Sequence, residues 1–248
     1  MSVLAIACND VRRTFLTPLA WILLAVFQVL MTVTFFTLAD QYQRDITAYV
    51  NHGLTVTVVA GTLQSAGLLL LLITPYLSIR LVSEEHRNGT LALLLSAPVS
   101  TSEVVAGKFL GVLSVYVVML LLAGLLPLSL SLGTRLDFGL YAAGMFGLLL
   151  LCCSFAAMGL FTSTLSSQPV AAAVLNFGLV FGFWVIHLLG NTGNVSVDRL
   201  IDYLSMQHHL NRLLSGLFST VDLAYFVLLT LLFLSLGILR LESRRRAG

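Results

Sequence analysis

His208 and His209 stand side by side in a chain that is otherwise close to an oil. Paired histidines suggest a metal site, but adjacent residues on a helix point about 100° apart. No Asp, Glu or Cys lies three or four residues from either one to complete a ligand set. The pair therefore reads, together with Tyr203, as a structural or gating element, and no metal is expected. Asp198 and Asp202 share a helical face beside Arg199. General acid–base chemistry needs a reacting group held within reach, and nothing nearby supplies one. A solvated face is the expectation there. Gly107-Lys108 has the tail of a phosphate-binding loop, but Phe109 follows it and Ser102 stands where the first Gly belongs. The chain is not expected to hydrolyse ATP or to be an enzyme, since no catalytic cluster is visible.

Polar residues inside apolar runs form a second group. Gln28 and Thr32 lie one turn apart; Gln64, beside Ser65, and Asn176 lie in later runs. Such groups face a bundle interior, where they line a path or hydrogen-bond between helices. Gln28, Thr32, Gln64 and Asn176 are candidates for a substrate path. No run carries an Arg or a carboxylate pair, so an ion-coupled carrier has little to work with.

These residues need a frame, and composition supplies it. The chain has 248 residues, 58% hydrophobic and 10% charged. Soluble domains carry about 25% charged residues. An integral membrane protein is implied. The net charge of +2 leaves no basic face for nucleic acid. Three cysteines show no metal or disulfide spacing. Cys8 follows Ala5-Ile6-Ala7, but without the basic and apolar regions of a signal peptide.

Crossing about 30 Å of hydrocarbon takes about 20 apolar residues. Six stretches qualify: 19–39, 54–79, 104–132, 138–165, 170–189 and 223–239. Their apolar runs are continuous, so helices are expected rather than barrel strands. The fold class is all-α, six-spanning, with residues 1–248 in one membrane domain. Arg12, Arg13, Arg80, Arg87, Lys108, Arg240 and Arg244 to Arg246 share one side; Arg44, Arg135, Arg199 and Arg212 take the other. The bias puts both termini in the cytoplasm. Within residues 1–17, Leu4, Ala7, Cys8, Val11 and Phe15 form an apolar stripe, read as an interfacial helix. Residues 191–220 form a long outer loop. Leu200, Ile201, Leu204, Leu210, Leu213, Leu214 and Leu217 there predict amphipathic helices dipping into the outer leaflet.

Residues 80–102 interrupt the oil. Glu84, Glu85 and Arg87 are too charged for lipid and suit charge-assisted bonds to a partner. Asn88-Gly89 supports a turn. Thr90 caps a short helix over Leu91–Ser96, with Leu91, Leu93, Leu94 and Leu95 nearly encircling it, and Pro98 ends it. Ser100-x-x-Glu103 matches a capping box and restarts a long helix. Gly107 and Gly111 give that helix a small-xxx-small face.

The run SEEHRNGTLALLLSAPVSTSEVVAGKFLG resembles the cytoplasmic coupling element of type-2 ATP-binding-cassette export permeases. Phe15-Leu16-Thr17-Pro18-Leu19-Ala20-Trp21 is similar to the first-span start of the gliding-motility-type permeases. So is the run of Tyr203-Leu204-Ser205, His208 or His209, Gly216, Asp222, Tyr225-Phe226 and Leu241 to Arg244. The resemblance implies a permease subunit in a bacterial inner membrane. It implies two copies of a cytoplasmic ATPase, which hold the ATP and Mg, docked on Glu84, Glu85, Arg87, Gly89, Thr90, Leu91, Leu93, Leu94, Leu95 and Pro98. A second permease subunit, identical or related, would pair with this one, and a periplasmic accessory subunit could join. Tyr203, His208 and His209 would belong to an outer gate. Two functions remain open: export across the membrane, or transmission of ATPase motion to a partner protein without transport.

Overall fold

The computed structural model describes residues 3–44, 53–79, 100–134, 136–166, 168–189 and 195–247. Among them every element is helical. In chain order these are α1 (Val3–Phe15), α2 (Pro18–Arg44), α3 (Gly61–Ile79), α4 (Thr101–Ser129), α5 (Phe138–Leu165), α6 (Pro169–Val185), α7 (Val195–Leu204), α8 (Met206–Leu214) and α9 (Thr220–Ala247). A π-helical turn, Thr55–Ala60, leads into α3; short 3-10 turns, Leu130–Leu132 and Ile186–Leu189, follow α4 and α6. Six helices are long and apolar enough to span a membrane, which makes this a multi-pass membrane protein.

Local chemistry sets the boundaries. Pro18 opens α2, where its missing N–H costs nothing. Trp21 Nε1 donates to Phe15 O at 2.9 Å and folds the first turn of α2 onto the end of α1. At α5, Asp137 caps the first turn by accepting from the amides of Gly139 and Leu140. Pro169 starts α6. The sixth span begins at Thr220, three residues before its apolar run, and continues to Ala247.

The centre of the bundle is α5. It packs on α3, α4, α6, α8 and α9, and it is the most deeply buried span. Its small residues explain the close contacts. A Cβ on Gly144 would stand 2.7 Å from Leu63, and one on Gly147 would stand 3.0 Å from Leu213. Polar side chains add links within the bundle. Tyr116 of α4 donates to Thr74 Oγ1 of α3 at 2.7 Å. Ser154 of α5 sits 3.2 Å from Thr230 Oγ1 of α9. The outward faces of α2, α6 and α9 expose Trp21, Val29, Phe36, Val174, Phe181 and Leu228, as a lipid-facing surface requires.

The face of α1 that packs on the bundle is Ile6 and Ala7 with Asp10 alongside; Leu4 and Cys8 stay exposed on another face. Residues 107 and 111 are the reason. A Cβ at Gly107 would fall 2.8 Å from Ile6 Cβ, and one at Gly111 would fall 3.0 Å from Asp10 Cβ. So α1 is docked on the start of α4, in the groove those glycines leave. One expectation is corrected: the apolar face of α8 does not dip into lipid. Met206, Leu210, Leu213 and Leu214 are buried against the bundle, chiefly α5.

Candidate functional site

Polar chemistry gathers at both faces of the bundle. On the face away from the termini, Ser205 caps α8, its Oγ accepting from the His208 amide at 3.2 Å. That cap sets the rotation of α8. His209 turns inward and is buried, while His208 stays exposed. His209 Nδ1 lies 2.6 Å from Asp222 Oδ1 in the first turn of α9. Its Nε2 lies 3.0 Å from Tyr203 O. A carbonyl only accepts, so Nε2 carries a proton and donates to it. The short Nδ1–Oδ1 contact needs a second proton between the two groups.

Asp222 is fully buried. Its Oδ2 makes no hydrogen bond but lies 3.4 Å from Arg212 Nε, an ion-pair distance. Tyr225 stacks on the His209 ring at 4.1 Å and donates to Leu204 O at 2.7 Å. Gly216, at φ +80°, closes α8 with bonds from Leu217 N to Arg212 O and from Gly216 N to Leu213 O. The arrangement fastens α7 and α8 to the start of α9. Among the described residues no three His, Cys, Asp or Glu side chains gather.

Sequence reasoning missed the carboxylate because it searched one helical turn either side of the histidines. Asp222 comes from the next helix. It stands in the first turn of the last span, since α9 begins at Thr220.

The path candidates are scattered. Gln28 Nε2 is 3.5 Å from Leu122 O of α4. Thr32 bonds back to Gln28 O at 2.8 Å. Gln64 lines a cleft of about 290 Å³ between the π-helical turn and α8, with Thr57, Asn211 and Ser215. Asn176 is fully buried, beside Gly159 of α5.

On the face that holds the termini, the capping box closes: Ser100 Oγ accepts from Glu103 N at 3.2 Å, and Glu103 Oε2 from Ser100 N at 2.9 Å. Two turns on, Lys108 is buried and sits 3.7 Å from Asp10 Oδ2 of α1. Pro75 interrupts α3 shortly before its described end. The residues expected to dock an ATPase, Glu84 to Pro98, lie outside the described residues.

The family model described as "ABC-2 family transporter protein" matches residues 4–245. This chain belongs to the ABC-2 transporter family. Comparison with curated proteins finds no match. Membership makes the chain a membrane permease component of an ABC transporter, a system in which the permease associates with an ABC ATPase. In that light the two ends of this ABC-2 permease divide the work. One end carries the segment between α3 and α4, with the start of α4 braced by α1. The other carries the fastened helix pair α7–α8.

Proposed function

We propose that this permease works in an ATP-driven exporter of the gliding-motility type, in a bacterial inner membrane with both termini cytoplasmic. A separate ATPase, in two copies holding ATP and Mg, docks on residues 84–98 and pushes the segment between α3 and α4. One observation carries the reading. The helix after that segment starts at a closed capping box and is braced within two turns by α1 and Lys108. A push delivered just before Ser100 therefore moves a rigid helix rather than unwinding one. The excess of Lys and Arg on the terminal face supports the orientation.

A second permease subunit would pack on α6. Gly178 and Gly182 lie one small-xxx-small step apart and have open space where a Cβ would be. Phe177 and Phe181 stack beside them on the same helix. The α7–α8 pair would gate the outer end, and a periplasmic subunit could rest on it. Purifying the tagged chain from membranes in mild detergent tests the assembly. An ATPase subunit at a one-to-one ratio with the chain is the expected result. Recovery of the chain without any nucleotide-binding subunit contradicts it.

The second reading is motion without transport. It is favoured by the exposed Leu200, Tyr203, Leu217 and Phe218 around the fastened helix pair, an apolar rim suited to a protein partner. ATP-dependent flux in reconstituted vesicles separates the two. Flux supports export, and ATP-driven shape change without flux supports transmission.

A further inference from the structure

Asn176 of α6 is completely buried, and both atoms of its amide lack a hydrogen-bond partner. Leaving a buried polar group unmade costs about 1–3 kcal/mol. Its surroundings show why it goes without. Asn176 Nδ2 lies 3.4 Å from the point that a Cβ on Gly159 would occupy. Ser78 of α3 approaches the same point, its own Cβ also 3.4 Å away. Beside that point, the Gly159 carbonyl is already crowded. Ser78 Oγ donates to it at 2.9 Å, and Thr162 Oγ1 lies 3.0 Å from it. A carbonyl oxygen offers two lone pairs. The helix's own N–H from Ser163 and the Ser78 hydroxyl fill that capacity, with Thr162 Oγ1 shared between Met158 O and Gly159 O, and the Asn176 amide is left without a place.

We propose that Ser78 and Asn176 are alternative partners of this one stretch of α5, and that the protein exchanges one for the other. In the state described, α3 is latched to α5 through Ser78 and α6 is not. When α3 shifts, Ser78 leaves the Gly159 carbonyl and the Asn176 amide takes its place. Gly159 is where the two partners converge, each within van der Waals reach of the position its Cβ would take. Pro75, three residues before Ser78, gives α3 a natural place to bend. The amide that costs free energy in one arrangement regains it in the other, so the two states are brought close in free energy. The proposal concerns three helices of this chain and does not depend on transport or on an ATPase.

A double-mutant cycle on the purified full chain in detergent tests it, with Ser78→Ala, Asn176→Leu and the pair read by thermal unfolding. Asn176 should rescue the loss of Ser78. Ser78→Ala then lowers the midpoint little when Asn176 is present, and by about 2–4 °C more when Leu replaces it. Asn176→Ala runs the same cycle should the leucine variant fail to fold. Equal drops in the two backgrounds would mean that Asn176 never takes over from Ser78, and would overturn the proposal.

Discussion

Asp222 Oδ1 and His209 Nδ1 are 2.6 Å apart, though thirteen residues of sequence separate them. The contact joins two helices through groups that are almost wholly removed from solvent. Breaking a buried pair of this kind costs about 3–5 kcal/mol, because the remaining partner is stranded. Asp222→Ala should therefore lower the thermal midpoint sharply and expose residues 195–214 to protease. Arg212→Ala should cost less, about 1–3 kcal/mol, since it leaves the buried Asp222 Oδ2 without its charged neighbour while the His209 contact stays. Similar losses for the two variants, measured by thermal unfolding, would show that the buried contact is not what holds the helix pair.

The docking of α1 can be tested by filling its groove. A Cβ at Gly107 would meet Ile6 Cβ at 2.8 Å, closer than side chains tolerate. Gly107→Val should displace α1, and overpacking of this kind costs about 1–3 kcal/mol. Thermal unfolding of the parent chain and the valine variant reads that cost, and the midpoint should fall in the variant. Ile6→Ala should restore part of the contact by making room. An unchanged midpoint in the valine variant would place α1 elsewhere.

The hydroxyl pair inside the bundle predicts an asymmetry. Tyr116 donates to Thr74 Oγ1, which itself donates to Leu70 O at 2.7 Å. Tyr116→Phe removes one donor and leaves Thr74 bonded to its own helix. Interhelical bonds in membranes average about 0.6 kcal/mol, so the loss should be small. Thr74→Val instead strands the buried phenol of Tyr116, which costs about 1–3 kcal/mol. Denaturant titration of the two variants should rank them in that order. The reverse ranking would mean that the phenol has another partner.

Continuous apolar runs made the six spans readable from sequence, because lipid leaves a helix no alternative. Ser100 and Glu103 were legible for a similar reason: the capping box is local, and its partners lie three residues apart. The groove at Gly107 and Gly111 was visible, but its occupant was not. Ile6, which fills it, stands off the Leu4, Ala7 and Cys8 stripe and carries no signal of its own. The α8 leucines were sent into the outer leaflet because lipid was taken as the only apolar surface open to them. Asp222 was hidden for a different reason. Its partner comes from another helix, and spacing along one helix carries no signal of it. Gly159, Ser78 and Asn176 likewise meet only in three dimensions.

The central claim is that an external ATPase grips the leucine-rich segment between α3 and α4. Copurification of that ATPase with a chain carrying Leu93→Asp and Leu94→Asp tests it most directly. The account predicts that the variant reaches the membrane at the parent level but recovers less than a tenth of the parent's ATPase, about a 1.4 kcal/mol loss of binding or more. Recovery of the ATPase in undiminished amount would contradict it.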